Sequence, residues 1–213
     1  MELYQELLKH HSPGNRYVYY PPTTRWQKAQ DSVSFFNKSH QETKAPLAFY
    51  FHLPFCQQMC TFCGCNINLS KKKEDHLDYI EALIAEFQYK EKELGFTSFF
   101  ENRKLYLVFG GGTPNDLHPE ALEKLVSFLN EKFPHPFDYF LSEANPRTIS
   151  NDFLSRVSSL GEVSLSFGIE DFSEEVCLNV NRKQTPNQIK AAFTLIGEKR
   201  EKGIDLIWGL PKQ

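Results

Sequence analysis

From Ala48 onward the chain alternates short apolar runs with stretches of helical periodicity, and no other feature narrows its fold so far. Apolar runs separated by helical segments are the signal for βα units around a parallel sheet. The runs predict strands at Ala48–Leu53, Lys104–Phe109, Tyr139–Glu143, Val163–Ile169 and Ile204–Trp208. The clearest helix between them, Glu74–Leu94, carries Leu77, Ile80, Ile84 and Phe87 as one stripe and meets a stop at Gly95. Others are expected from Pro119 to about Lys132, from Asn151 to Leu160 (capped by Ser150 or Asn151, stopped by Gly161), and over Pro186–Lys202 ahead of Gly203. The fold class is therefore α/β: a partial parallel (β/α) barrel of about five βα units.

Residues 1–46 differ. They are polar, with the aromatic cluster Arg16-Tyr17-Val18-Tyr19-Tyr20-Pro21-Pro22 and Trp26, more aromatic payload than a solvated tail carries. They are expected to form an N-terminal arm over the mouth of a core domain spanning 47–213. At 213 residues and 40% hydrophobic content the chain can bury a sizeable core. A net charge of −3 argues against a general nucleic-acid binder. No run reaches the ~18 apolar residues of a membrane span, and the N-terminus shows no secretory signal, so a cytoplasmic protein is expected. Lys71-Lys72-Lys73 reads as a solvated loop before a helix rather than a phosphate patch.

Strand alternation locates the chemistry. Phe49, Phe51 and Leu53 share one face of the first strand, which turns Tyr50 and His52 toward the lumen. On the fourth strand Val163, Leu165, Phe167 and Ile169 face the helices, while Ser164, Ser166, Gly168 and Glu170 face inward; on the fifth, Asp205 faces inward. A lumen of Ser, Gly, Glu and Asp fills a barrel poorly and suits a cavity for a polar ligand. Gly110-Gly111-Gly112-Thr113-Pro114 follows the second strand, where backbone can approach a ligand closely. Glu143 ends the third strand and could accept hydrogen bonds from a ribose diol, or simply close a salt bridge. Arg182 could clamp a carboxylate, or lie exposed.

Directly after the first strand comes Cys56-Gln-Gln-Met-Cys60-Thr-Phe-Cys63-Gly-Cys65, holding all the cysteines but Cys177. A disulfide framework would scatter its cysteines, and a structural zinc usually takes two separated C-x2-C hooks. A compact C-x3-C-x2-C-x-C run suits an iron–sulfur cluster instead.

The C-x3-C-x2-C spacing, with Phe62 before the last cysteine, resembles the signature of radical S-adenosylmethionine (SAM) enzymes. That resemblance implies a [4Fe-4S] cluster held by Cys56, Cys60 and Cys63, with one iron left open to chelate SAM and cleave it reductively to a 5′-deoxyadenosyl radical. Cys65 is left over; its alternative role is a small buried hydrophobe. Beyond this loop, Tyr50–Phe55, Gly110–Pro114, Ser166–Phe172, Asn181-Arg182 and Ile204–Pro211 resemble the oxygen-independent coproporphyrinogen III oxidases. Those enzymes convert two propionates of coproporphyrinogen III to vinyl groups in heme biosynthesis. The resemblance implies a porphyrinogen substrate and a reduced flavodoxin- or ferredoxin-type electron donor. It also implies that Tyr50, Gly111 and Glu143 hold the SAM on the cluster, and that Phe62, Gly112, Thr113, Arg182 and Asp205 hold a second SAM. Glu170 stands among those contacts where the family usually has glutamine, a change from an amide that donates to a carboxylate that only accepts when ionised. The spacing from Arg182 to Asp205 is shorter than usual, so a remodelled turn into the fifth strand is expected. The related heme chaperones usually carry Asp-Phe in place of Gly64-Cys65, which favours the oxidase over a chaperone-like or non-catalytic cluster binder. Family members continue past Gly209-Leu210-Pro211-Lys212-Gln213, so the fifth strand is expected to leave an open, partly apolar edge.

Overall fold

The computed structural model describes residues 45–213, so the expected arm lies, but for its last two residues, outside the described residues. Five strands form one parallel sheet in the order β1-β2-β3-β4-β5. They are β1 (Leu47–Leu53), β2 (Leu105–Gly111), β3 (Tyr139–Ala144), β4 (Val163–Glu170) and β5 (Lys202–Leu206). Helices α1 (Lys73–Leu94), α2 (Pro119–Lys132), α3 (Asn151–Val157), α4 (Glu174–Asn179) and α5 (Pro186–Ile196) lie in the crossovers. A sequential strand order with crossovers of one hand puts the crossover helices on a single face and leaves the other face for the lumen. Among the described residues, no helix is long and apolar enough to cross a membrane.

The helix-facing side is the core. Phe51, Phe109, Ser142 and Leu165 lie on it in one register row, with Leu53, Leu105, Leu107, Phe140, Val163, Phe167 and Ile169, all buried. An aromatic cluster seals the start of β1 against the helices: Phe133 stacks on Phe100 with ring centroids 4.9 Å apart and meets Phe49 edge-on at 4.9 Å. In α1, Ile80 and Phe87 are buried as the stripe requires, and Leu77 and Ile84 pack beside them. His76 joins them, stacked on Phe55 at 3.6 Å. Its Nε2–H donates to the Ser70 carbonyl at 2.9 Å and its Nδ1 accepts from the His118 amide at 2.9 Å, which satisfies a buried polar ring.

The expected helix boundaries hold at Gly95 (φ 61°), at Pro119 and at the Ser150 cap, whose side chain accepts from the Phe153 amide. Three details differ. Gly110 and Gly111 are paired strand residues rather than turn. The last helix stops at Gly197 (φ 70°), well before Gly203, which pairs with Ser166 inside β5; the strand therefore begins two residues earlier than its apolar run. Helix α4, capped by Ser173, was hidden in a segment too short to show periodicity. Beyond β4, β5 has no further strand partner among the described residues, and Ile204, Leu206 and Trp208 are exposed.

Truncating Phe109, fully buried between Phe51 and Phe140, to alanine is expected to cost about 3–5 kcal/mol in urea denaturation. The same change at Trp208, which is 95% exposed, should leave the midpoint nearly unmoved.

Candidate active site

The cysteine loop leaves β1 at Pro54 and is held chiefly by main chain. Gly112 N–H donates to the Leu53 carbonyl at 2.9 Å and Thr113 N–H to the Phe55 carbonyl at 2.8 Å, which ties the loop to the end of β2. Cys56 N–H reaches the Asn68 carbonyl at 3.0 Å, and Asn68 N–H returns to the Pro54 carbonyl at 2.8 Å. On the far side Thr61 N–H donates to the Val180 carbonyl at 3.0 Å, and Asn181 Nδ2 to the Met59 carbonyl at 2.6 Å. A Cβ on Gly112 would stand 2.5 Å from the Pro54 carbonyl, so only glycine lets these two segments approach.

The loop borders a cleft of about 310 Å³ at the C-terminal ends of the strands. Cys56, Cys60, Cys63 and Phe62 line it, with Gly111, Gly112 and Thr113 from the end of β2. Glu143, Glu170, Arg182 and Asp205 complete the set expected from the sequence, apart from Tyr50. Tyr50 lies beside the cleft: its hydroxyl donates to His52 Nδ1 at 3.1 Å, while His52 Nε2–H donates to the Asn66 carbonyl at 2.9 Å. Burial, with Glu143 and Cys65 nearby, raises the Tyr50 pKa. Cys65 also lines the cleft and is exposed.

The thiols differ in setting. Burial pushes Cys56 up to about 11, against the 3.4 Å contact of its Sγ with Thr113 Oγ1. Cys60 is also raised by burial, with Arg182 opposing. No three His, Cys, Asp or Glu side chains among the described residues converge on a single metal ion. Four thiols spread along one loop at one cleft, Cys56, Cys60, Cys63 and Cys65, instead suit a polynuclear cluster with one thiolate per iron.

Opposite the loop, the lumen wall is polar as strand alternation predicts. Glu143 Oε2 accepts from Gly111 N–H at 2.9 Å. Ser166 Oγ donates to Asp205 Oδ2 at 2.8 Å. Arg182 is buried rather than exposed. Its Nε donates to Gln184 Oε1 at 3.2 Å, its Nη2 to the Gly168 carbonyl, and its Nη1 contacts Cys60 Sγ at 3.7 Å and Glu170 Oε1 at 3.5 Å. Glu170 sits at φ 65° beside a register shift between β4 and β5; burial raises its pKa, opposed by Arg182 and reinforced by Asp205.

Sequence reasoning missed the support behind the loop. Arg147 donates from Nη1 to Gln58 Oε1 at 2.8 Å and from Nη2 to Gln57 Oε1 at 3.2 Å. Asp116 accepts from the Gln57 amide at 3.1 Å. Asn115 locks the next turn, accepting from Asn145 N–H at 2.9 Å and donating to Thr148 Oγ1 at 2.7 Å. The Asn-Pro turn after Glu143 was the one available signal for this bracket.

The profile described as the Radical SAM superfamily matches residues 50–213. The oxygen-independent coproporphyrinogen III oxidase of Salmonella typhimurium is 33% identical over 211 residues, covering 96% of this chain and 44% of the relative. Those of Escherichia coli and Synechocystis are each 34% identical, covering 96% and 100% of this chain and 44% and 46% of the relatives. The solved coproporphyrinogen III oxidase of Escherichia coli, titled a radical SAM enzyme, superposes with a TM-score of 0.74 at 30% identity, over 98% of this chain and 46% of that one. The chain thus spans less than half the length of the curated relatives it matches.

Because burial holds Cys56 as a thiol, iodoacetamide should alkylate it in the metal-free chain more slowly at pH 8 than the exposed Cys65. Its rate should climb until the pH nears about 11, followed by mass spectrometry. A Cys56 rate that levels off by its ordinary value of 9.0 would contradict the burial argument.

Proposed function

The chain belongs to the Radical SAM superfamily, and on that premise we propose that it carries the cluster and SAM site of an oxygen-independent coproporphyrinogen III oxidase. The carrying observation is the gathering of Cys56, Cys60 and Cys63 with Glu143 and Gly111–Thr113 at one cleft. The family implies a [4Fe-4S] cluster and SAM, and the donor set fits them. The three thiols would hold the cluster. A cluster bound there, given an electron by a flavodoxin- or ferredoxin-type donor, would supply the chemistry of reductive SAM cleavage.

The chain's own residues then bind and orient. Glu143, exposed at the end of β3, keeps lone pairs beyond its bond to Gly111 N–H and can take a ribose diol. Gly111 would let the main chain come close to the SAM on the cluster. Tyr50, hydrogen-bonded to His52, closes the β1 side. Phe62, Gly112, Thr113, Arg182 and Asp205, with Glu170, line the cleft and would hold a second SAM. Relatives named coproporphyrinogen III oxidase at 33–34% identity support the porphyrinogen substrate class.

Anaerobic reconstitution with iron and sulfide, followed by reduction and a SAM-cleavage assay with and without coproporphyrinogen III, tests this reading. An iron–sulfur absorption band lost on replacing Cys56, Cys60 or Cys63 by alanine, but kept in Cys65→Ala, together with reductive SAM cleavage, is the expected result. Retained zinc with no sulfide overturns it; reductive SAM cleavage that coproporphyrinogen III neither stimulates nor competes with overturns the substrate assignment. Glu143→Ala should weaken SAM binding roughly tenfold or more, since a charge-assisted hydrogen bond is worth about 1.5–3 kcal/mol, while Lys72→Ala changes nothing. Equal affinities in calorimetry would remove Glu143 from the site.

A further inference from the structure

One buried cation in the cleft stands directly against a cluster-loop sulfur. Arg182 is anchored on two sides by neutral acceptors: Nε by Gln184 Oε1 at 3.2 Å, and Nη2 by the Gly168 carbonyl. Gln184 is itself buried and fixed, donating from Nε2 to the Ile169 carbonyl. That leaves Nη1, which faces both Cys60 Sγ at 3.7 Å and Glu170 Oε1 at 3.5 Å. One guanidinium nitrogen is therefore shared between a thiol sulfur and a carboxylate. Both partners of the ion pair are largely withdrawn from water, with side chains 11% and 12% exposed, so their charges are weakly screened.

The backbone is shaped to place this carboxylate. Glu170 is a non-glycine residue at φ 65°, at the register shift between β4 and β5, and still pairs with Leu206. Gly168 has no side chain to obstruct the pair: a Cβ there would stand 2.8 Å from Glu170 Oε1 and 2.9 Å from Arg182 Nη2. Asp205, the other acid facing the pair, already accepts from Ser166 Oγ at 2.8 Å. Glu170 is thus the anion that balances Arg182 at the Cys60 side of the cleft.

We propose that Arg182 and Glu170 form a positioning pair that fixes the charge at Cys60 Sγ and so sets the reduction potential of the cluster bound by the loop. This rests on the cluster assignment made above. Adding an electron makes a cluster more negative, so a neighbouring cation favours the reduced form and a neighbouring anion disfavours it; hydrogen bonds to a ligand sulfur act in the same sense as the cation. With Glu170 present the guanidinium is held but partly neutralised. The pair therefore acts as a set point rather than as a bare positive charge.

The test is an anaerobic redox titration with dithionite, without SAM, followed by electron paramagnetic resonance, on the reconstituted wild type, Glu170→Gln, Arg182→Gln, Arg182→Lys and the double variant E170Q/R182Q. Glu170→Gln keeps the shape and removes the anion, so its midpoint should move up. Arg182→Gln should move down, Arg182→Lys should lie between it and the wild type, and the double variant should fall between the two glutamine singles. If Arg182→Gln fails to assemble a cluster, Glu170→Gln and Arg182→Lys decide alone. Unchanged midpoints, or a downward shift in Glu170→Gln, overturn the inference while leaving the cluster reading standing. No iron–sulfur signal in the wild type overturns both.

Discussion

The cysteine loop is positioned by contact between two stretches of backbone, and the rest of the site depends on that contact. Gly112 lies so close to Pro54 that no side chain fits, and the resulting hydrogen bonds from Gly112 and Thr113 fix where the chain leaves β1. Main-chain bonds of this kind place the loop without calling on its side chains for the tether. The thiols, Phe62 and the glutamines can then turn to separate tasks. Gln57 and Gln58 turn back to Arg147 and Asp116, while Cys56, Cys60 and Cys63 turn to the cleft. The loop is an insert tied into the sheet's C-terminal rim, where side chains from several strands converge.

The fold was legible because both faces of the sheet are written at period two. Phe49, Phe51 and Leu53 against Tyr50 and His52, or Val163, Leu165, Phe167 and Ile169 against Ser164, Ser166, Gly168 and Glu170, separate helix face from lumen without ambiguity. The end of the chain was harder to read. Gly197 and Gly203 are both credible helix stops, and only the pairing of Gly203 with Ser166 decides between them. Helix α4 is too short for its periodicity to register, and its Ser173 cap is a common residue.

The site was legible where a residue's role follows from its strand position and illegible where it follows from a neighbour. Glu143 and Asp205 fall in the cleft because alternation places them there. Arg182 does not belong to a strand, and its sequence neighbours Asn181 and Lys183 give no hint of burial. It is buried because the turn after α4 folds it beneath β4, where the Gly168 carbonyl, Gln184, Glu170 and Cys60 each take part of the guanidinium. Arg147 escaped for the same reason: its partners lie across the loop, 89 and 90 residues earlier in the chain.

Glu170 shows how the two faces of one strand divide the work. A non-glycine residue in the left-handed region costs on the order of 1–3 kcal/mol and persists only where its surroundings hold it. Here the hold comes from the other side of the same strand. Phe167 and Ile169 are fully buried, and at about 1.5–3 kcal/mol each the two together outweigh the strain next to them. The lumen face can therefore depart from strand geometry at Glu170, whose carboxylate meets Arg182 beside Cys60. Apolar packing against the helices is what lets a strained, charged residue stand at the cleft.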